Sequence, residues 1–474
     1  NGTGNVTVAE YSFYDVWEKD LVSPAGYGKN WYGEQFNPLS GNLTQNFPIS
    51  FGAQASRTKI KLGAALQGAA PSGFNFSVNG VYTGNLPFST GVSDNVAVVY
   101  RSGEWTITNP ATGANVSMTF VPAAGAIGYL DYIEVNARCQ LAITSDQLSF
   151  RDIRSYGTGK VATYQLQGAN SNTRVWDVTD PYNAVRLNGN LSGSTYTFTQ
   201  DAATLHEFAA TNSDNLYTPI YSGTVGNQNL HGLGQVDNII ISHPLFVPYA
   251  EDLANYHRTH DNMRVIVVTP QTIYNEFSSG AQDIAAIRDF VKMFYDRAGT
   301  DISQMPQYLT LFGAASYDYK DRLPNNSNFV PVFESAESSL SLAAFMTDDF
   351  YGFLDDREYI EDVLKLNVLD IGIGRLPARN VQDAANLVAK IKGYKAPATL
   401  GPWRLVSTIV ADNADGAGDH MNDGEEMAAH ITATTKNLYN HGKIYIDAIP
   451  VISTPAGPRC PNGSAALSDR VYKG

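Results

Sequence analysis

The sequence predicts an α+β multidomain chain, with an all-β, sandwich-like domain first and then an α/β domain built on a parallel sheet. Three observations carry this. Residues 1–215 alternate apolar and polar positions between turn signals. Residues 216–400 alternate unbroken apolar runs with stretches of helical periodicity. Residues 401–474 begin the same strand–helix grammar again. A chain of 474 residues has room for roughly two to four domains.

In the β half, "FNFSVNGVYTG" alternates Phe74, Phe76 and Val78 before Asn79-Gly80, the favoured two-residue hairpin turn. "NVSMTF" alternates Val116, Met118 and Phe120. "RLNGNL" and "STYTFT" continue the pattern around a second Asn-Gly at Asn188-Gly189. No stretch here has helical periodicity beyond two turns, so short strands in a sandwich or barrel are expected.

After about residue 214 the grammar changes. "NIIISH" (238–243), "VIVVTP" (265–270), "YLTLFG" (308–313) and "LDIGIGRLP" (369–377) are continuous apolar runs, the pattern of strands buried on both faces. Between them, Ile284, Ile287, Val291 and Phe294 share one helical face. Val381, Ala384, Val388 and Ile391 share another, with Gly393 as the expected stop. From Trp403 a further unit follows: strand "LVSTIVAD", a helix from about Asp423, strand "KIYIDAIP" and helix "NGSAALSDRVYK". Asp423 with Glu426 reads as a capping box. Two strands cannot bury both faces of a sheet, so this last unit is expected to be C-terminally truncated.

Composition narrows the function classes. The net charge of −14 and the absence of a basic stripe argue against nucleic-acid partners, which require phosphate neutralisation by Lys and Arg. Only 16% of residues are charged, while 27 Tyr and 41 Gly suit a β-rich, surface-exposed protein. Two cysteines give no disulfide framework, and Cys139, in "NARCQLAI", reads as a small buried strand residue. No run approaches the ~18 apolar residues of a membrane-spanning helix.

The strongest candidate site is the loop "STIVADNADGAGDHMNDGEE", residues 407–426, which carries Asp412, Asp415, Asp419, His420 and Asp423. Asp412 ends an apolar strand, where a carboxylate can orient a histidine from a neighbouring strand. Asp419 and His420, near a helix N-terminus, are placed to line a specificity pocket. Catalytic groups in α/β enzymes follow strands. Cys460 in "PAGPRCPNG" and His441, in a turn leading into a strand, are therefore disfavoured as a dyad. His243, His257 and His260 lack a carboxylate to complete a metal set and read as structural. "MTDDFYGFLDDREYIED" reads as a solvated acidic loop; its oxygens could hold calcium, although the spacing matches no defined calcium loop.

Several segments resemble, in order, the gingipain-type cysteine peptidases: "IIISHPLFVPYAEDLANYH", "YNEFSSGAQDIAAIRDFVKMFYD", "YLTLFGAASYD", "MTDDFYGFLDD" and "DIGIGRLPARNVQDAANLVAKIKGY". Upstream, "YGKNWYGEQF" (27–36), "YRSGEW", "VWDVTDP" (175–181) and "NQNLHGLG" (227–234) resemble the branch that serves the type IX secretion system as a sortase. The resemblance implies a caspase-like α/β domain in two subdomains, 216–400 and 401–474, after the β-rich 1–215. It also implies a Cys–His dyad, in which a thiolate attacks a peptide carbonyl to give an acyl-enzyme. The Gly-His-Gly that would carry the histidine is not in this sequence. The dyad is therefore expected beyond Gly474, and the chain alone is expected to be inactive.

By the same resemblance, Asp412 is the third acid and Asp419, or His420 one residue on, lines the primary specificity pocket. No cofactor is required. The implied substrates are the C-terminal signal domains of secreted proteins, with lipopolysaccharide as acyl acceptor. The implied partners are other outer-membrane components of the secretion system, at the extracellular face of the bacterial outer membrane. Two other readings stand beside this one. The first is a non-enzymatic cell-surface adhesin or scaffold with a vestigial peptidase-like domain. The second is a calcium-dependent hydrolase using the acidic loops.

Overall fold

The computed structural model describes residues 4–93, 95–108, 111–213, 218–358, 360, 367–412, 414, 418–455 and 457–473. The change of grammar near residue 214 falls outside them. The chain forms two compact units, one comprising Asn1–Val247 and Met263–Arg379, the other Pro248–Asn262 and Asn380–Gly474.

The first unit begins with β1 (Val6–Val8), β2 (Glu10–Glu18), β3 (Gln35–Phe36), β4 (Thr44–Gln67), β5 (Ser72–Val78), β6 (Val81–Phe88), β7 (Val99–Ile107), β8 (Ala111–Val121) and β9 (Ile127–Gln140). The strands β2-β9-β4-β8-β5-β6 lie side by side, with β3 paired to β9 and β7 to β4. Asn79-Gly80 forms the predicted hairpin turn between β5 and β6, both residues at positive φ (52° and 79°), which these two residue types tolerate best. The strands are not all short, as the turn signals suggested: β4 is 24 residues long and pairs with β8 along its first part, then with β7 and β9. It is not interrupted because the break is a bulge. Phe51, Ala53 and Ala55 face inward; then the register shifts by one at Ser56, and Thr58, Ile60 and Leu62 face inward instead.

The sandwich follows, from β10 (Gln147–Arg151), β11 (Val161–Gln167), β12 (Arg174–Asp177), β13 (Val185–Leu187), β14 (Asn190–Ser192), β15 (Thr195–Asp201) and β16 (Glu207–Thr211). Its two sheets run β1-β11-β15-β14 and β10-β16-β12-β13. Phe150 and Phe208 of one sheet pack on Tyr164 and Phe198 of the other, with ring centroids 4.8–6.4 Å apart. Asn188-Gly189 does not make a hairpin. It carries the chain from β13 in one sheet to β14 in the other, and the turn is made instead at Gly193, φ 59°, between β14 and β15. A two-residue signal cannot say which sheet its flanking strands join.

Beyond residue 217 the parallel sheet forms as expected, in the order β18 (Val265–Val268), β17 (Asn238–Ser242), β19 (Tyr308–Phe312) and β22 (Gly372–Leu376). Between them lie α2 (Pro270–Phe277), α3 (Ile284–Ala298) and the small pair β20 (Phe333–Glu334) and β21 (Met346–Thr347). β17 is buried throughout, whereas β22 is an edge strand with Gly372 and Gly374 exposed, so its apolar run did not signal burial on both faces. Ile287, Val291 and Phe294 of α3 are buried on the predicted face.

Arg375 of β22 ties this unit together. Its guanidinium makes a two-pronged pair with Asp348, at 2.6 and 2.8 Å, and donates to the carbonyls of Gly313, Val330 and Pro331. The chain enters the parallel sheet through a second fastening. Glu276 of α2 accepts from the Gln228 amide, the backbone N–H groups of Leu230 and His231, and the His231 ring at 2.7 Å. Burial pushes its carboxyl up, but these donors outweigh burial and hold it at about 2. Because the folded value lies below the ordinary one, the stabilisation is complete above the ordinary carboxylate range and is lost as pH falls toward 2. Glu276→Gln is expected to flatten this acid limb: unfolding midpoints followed from pH 5 to pH 2 fall less steeply in the variant than in the parent.

Candidate active site

The second unit is built on two parallel strands, β23 (Val406–Ala411) and β24 (Asn440–Tyr445), in register from Val406↔Asn440 to Ala411↔Tyr445. Its helices are α1 (Val247–His260), most of which belongs here, α4 (Val381–Tyr394), α5 (His420–Thr435) and α6 (Pro461–Lys473). Lys392 and Lys395 pair with Asp252 and Asp261, linking the α4 end to the α1 segment. Gly393 does not stop α4; the helix runs one residue further to Tyr394.

α5 packs on one face of the strand pair through Ile409, Ala411, Ala428 and Tyr445. Gly424 permits this close seating: a Cβ there would lie 3.2 Å from both Ile409 Cγ2 and the Tyr445 hydroxyl. On the other face Val410 is exposed, so β23 is not buried on both sides.

Parallel pairing sends the carboxyl ends of both strands to the same edge, and the predicted residues gather there. Asp412 follows Ala411 directly and is exposed. Asp419 is the N-cap of α5, accepting from the Asn422 N–H at 3.2 Å, with its other oxygen bound by the Asn422 amide. The capping residue is therefore Asp419, and Asp423, expected to cap, lies inside the first turn. His420 opens the helix with Nδ1 3.7 Å from Asp423 Oδ2. Asp415 lies outside the described residues.

One carboxylate was missed. Asp447, in the turn Ile446–Ala448 after β24, accepts from the Ala414 N–H at 3.3 Å and so bonds across to the loop after β23. The sequence carries a signal for it, since "IVAD" and "IYID" both end an apolar strand in Asp.

The other candidates have different work. His441 lies in β24 itself, opposite Ser407 at the amino ends of the strands, with Nε2 2.9 Å from Thr432 Oγ1. Cys139 is fully buried in β9, and burial pushes its thiol up to about 12, far from a nucleophile's range. His243 follows β17, accepts from the Leu245 N–H and packs on Phe329 at 4.6 Å, with burial holding its pKa below the usual value. His257 pairs with Asp261 at 2.7 Å. In the 346–362 acidic stretch, Asp348 holds Arg375, Asp355 accepts from Tyr295, and Asp356 pairs with Lys292. Among the described residues no group of three or more His, Cys, Asp or Glu is arranged to hold a metal ion.

The model of peptidase family C25 matches residues 231–474. The chain belongs to that family. Membership in C25 implies a cysteine peptidase, and the family's match takes in the whole edge that carries Asp412, Asp419, His420 and Asp447.

No curated protein matches the chain. Among solved structures, dimeric latent PorU from Porphyromonas gingivalis superposes with a TM-score of 0.72 at 22% identity, over 88% of this chain and 43% of that one. That likeness shows the fold: the β region followed by the α/β region is the arrangement of PorU, and the chain spans less than half of PorU's length. The Cry4Aa toxin from Bacillus thuringiensis (14% identity, 20% of this chain and 18% of that, TM-score 0.16) overlaps too little to bear on it. The same holds for a carbohydrate-binding module of Cellvibrio mixtus lichenase 5A (13% identity, 20% and 69%, TM-score 0.15). No helix among the described residues is long and apolar enough to cross a membrane.

Asp419 can be tested as a cap independently of any activity. Asp419→Ala is expected to lose about 1 kcal/mol of stability and Asp419→Asn almost none, because Asn caps as well as Asp. Urea denaturation midpoints of the two variants check this.

Proposed function

We propose that this chain supplies the supporting groups of a C25 cysteine peptidase whose reactive cysteine and histidine come from sequence outside these 474 residues. The observation that carries the reading is the position of Asp412. It sits at the carboxyl end of β23, beside the parallel β24 and within the family-matched span. A histidine on an adjoining strand would reach that edge, and the carboxylate would fix its tautomer and stabilise its protonated form. The histidine would then hold the thiolate that attacks a peptide carbonyl. Asp419 and His420, at the first turn of α5, form one wall of the substrate pocket, Asp419 while also capping the helix. No step needs a cofactor.

The order of β and α/β regions shared with PorU favours the sortase branch. In that branch the substrates are the C-terminal signal domains of secreted proteins at the cell surface, beside other outer-membrane components of the secretion system. The acyl-enzyme would be resolved by water or by an amine of lipopolysaccharide.

In the gene product that contains this chain, Asp412→Asn is expected to lower kcat by about a hundredfold for a signal-domain peptide while leaving KM near the parent value. An unchanged kcat would remove Asp412 from the mechanism. Asp419→Asn, which keeps the cap, should act mainly on kcat/KM, through substrate binding.

A further inference from the structure

The sequence shows no basic stripe, yet folding assembles one. A groove of about 380 Å³ on the outer face of the first sheet is lined by Arg57, Lys59 and Lys61 of β4, Arg138 of β9, and Arg154 just after β10. The bulge at Ser56 produces it. Without that extra residue the odd-numbered positions would continue inward, as Phe51, Ala53 and Ala55 do; with it, Arg57, Lys59 and Lys61 turn outward together.

The groove is only partly neutralised from within. Lys59 pairs with Glu104 at 2.7 Å, and Arg138 with Asp152 at 2.5 Å and Glu10 at 3.5 Å. The Arg57 and Arg154 guanidinium groups have no hydrogen bond or ion pair among the described residues. Arg57 stands directly opposite Arg138 in the β4–β9 register. Like charges so placed across a sheet destabilise it, and this occurs in a chain whose net charge is −14. Such an arrangement fits an anionic ligand that completes the set.

We infer that this groove binds an extended acidic peptide. Alternate residues of a strand repeat every ~6.6–6.8 Å, so the row of Arg57, Lys59 and Lys61 has the pitch of a peptide with an acid at every second position. Glu104 and Glu134 stand within the same groove. They repel a uniformly charged polyanion and leave room for a mixed sequence. In a chain whose net charge is −14 the groove is a local concentration of cations, and binding depends on its unpaired arginines. The inference does not rest on the peptidase assignment.

The test is fluorescence anisotropy of a labelled (Asp-Ser)6 peptide titrated with the 474-residue chain, the matching (Asn-Ser)6 peptide serving as control. Saturable binding of the acidic peptide alone is expected, weakened by salt and weakened about tenfold or more by Arg57→Gln with Arg154→Gln. Lys436→Gln, an exposed cation of the second unit, should change nothing. The Arg57→Gln chain should melt at or above the parent temperature, since it relieves the facing pair. The inference is overturned by absence of saturation, by equal loss in Lys436→Gln, or by full affinity in the double variant. A lower melting temperature for Arg57→Gln would overturn it as well. So would tighter binding of dextran sulfate than of the peptide, which would make the groove a polysaccharide site.

Discussion

Parallel, in-register pairing of β23 with β24 is the constraint on which the candidate site depends. It brings Asp412 and Asp447 from positions 35 residues apart to one edge and aims the N-terminus of α5 at the same place. Antiparallel pairing would put the two carboxylates at opposite ends. Gly424 then lets α5 lie close against the strands, so that Asp419 caps the helix beside that edge. Local chemistry supplies the carboxylates, but topology makes them neighbours.

Much of the architecture was legible because it follows from periodicity. The strands of the parallel sheet, α3 with its buried Ile287, Val291 and Phe294, and the Asn79-Gly80 turn all lie where their patterns placed them. What could not be read is what depends on distant partners. Asn188-Gly189 has the same letters as a hairpin turn but joins two sheets. The helix cap fell to Asp419 rather than Asp423 because either residue offers the right oxygen and tertiary packing chooses where the helix begins. Asp447 was overlooked although its strand repeats the ending of its neighbour.

The segments that carry the family resemblance prove to be mainly fastenings. "NQNLHGLG" is the clasp on Glu276. "YGKNWYGEQF" places Trp31 in a stack with Tyr317 and under the Arg322 guanidinium. "MTDDFYGFLDD" supplies Asp348 to Arg375 and the buried Tyr351, whose hydroxyl donates to the Pro331 carbonyl. Polar side chains that satisfy buried backbone groups tolerate few replacements, which explains how such stretches can identify a fold without performing its chemistry. The β half adds a different lesson. A single extra residue, Ser56, reverses which side chains of a 24-residue strand face outward, and the basic groove exists only because of it.

The central claim is that these residues support a dyad held elsewhere in the protein. Its most direct measurement is to treat the complete gene product with a thiol-reactive peptidyl ketone and map the modified cysteine by mass spectrometry. The account predicts one adduct, on a cysteine outside residues 1–474. An adduct on Cys460, or none on any cysteine, would contradict it.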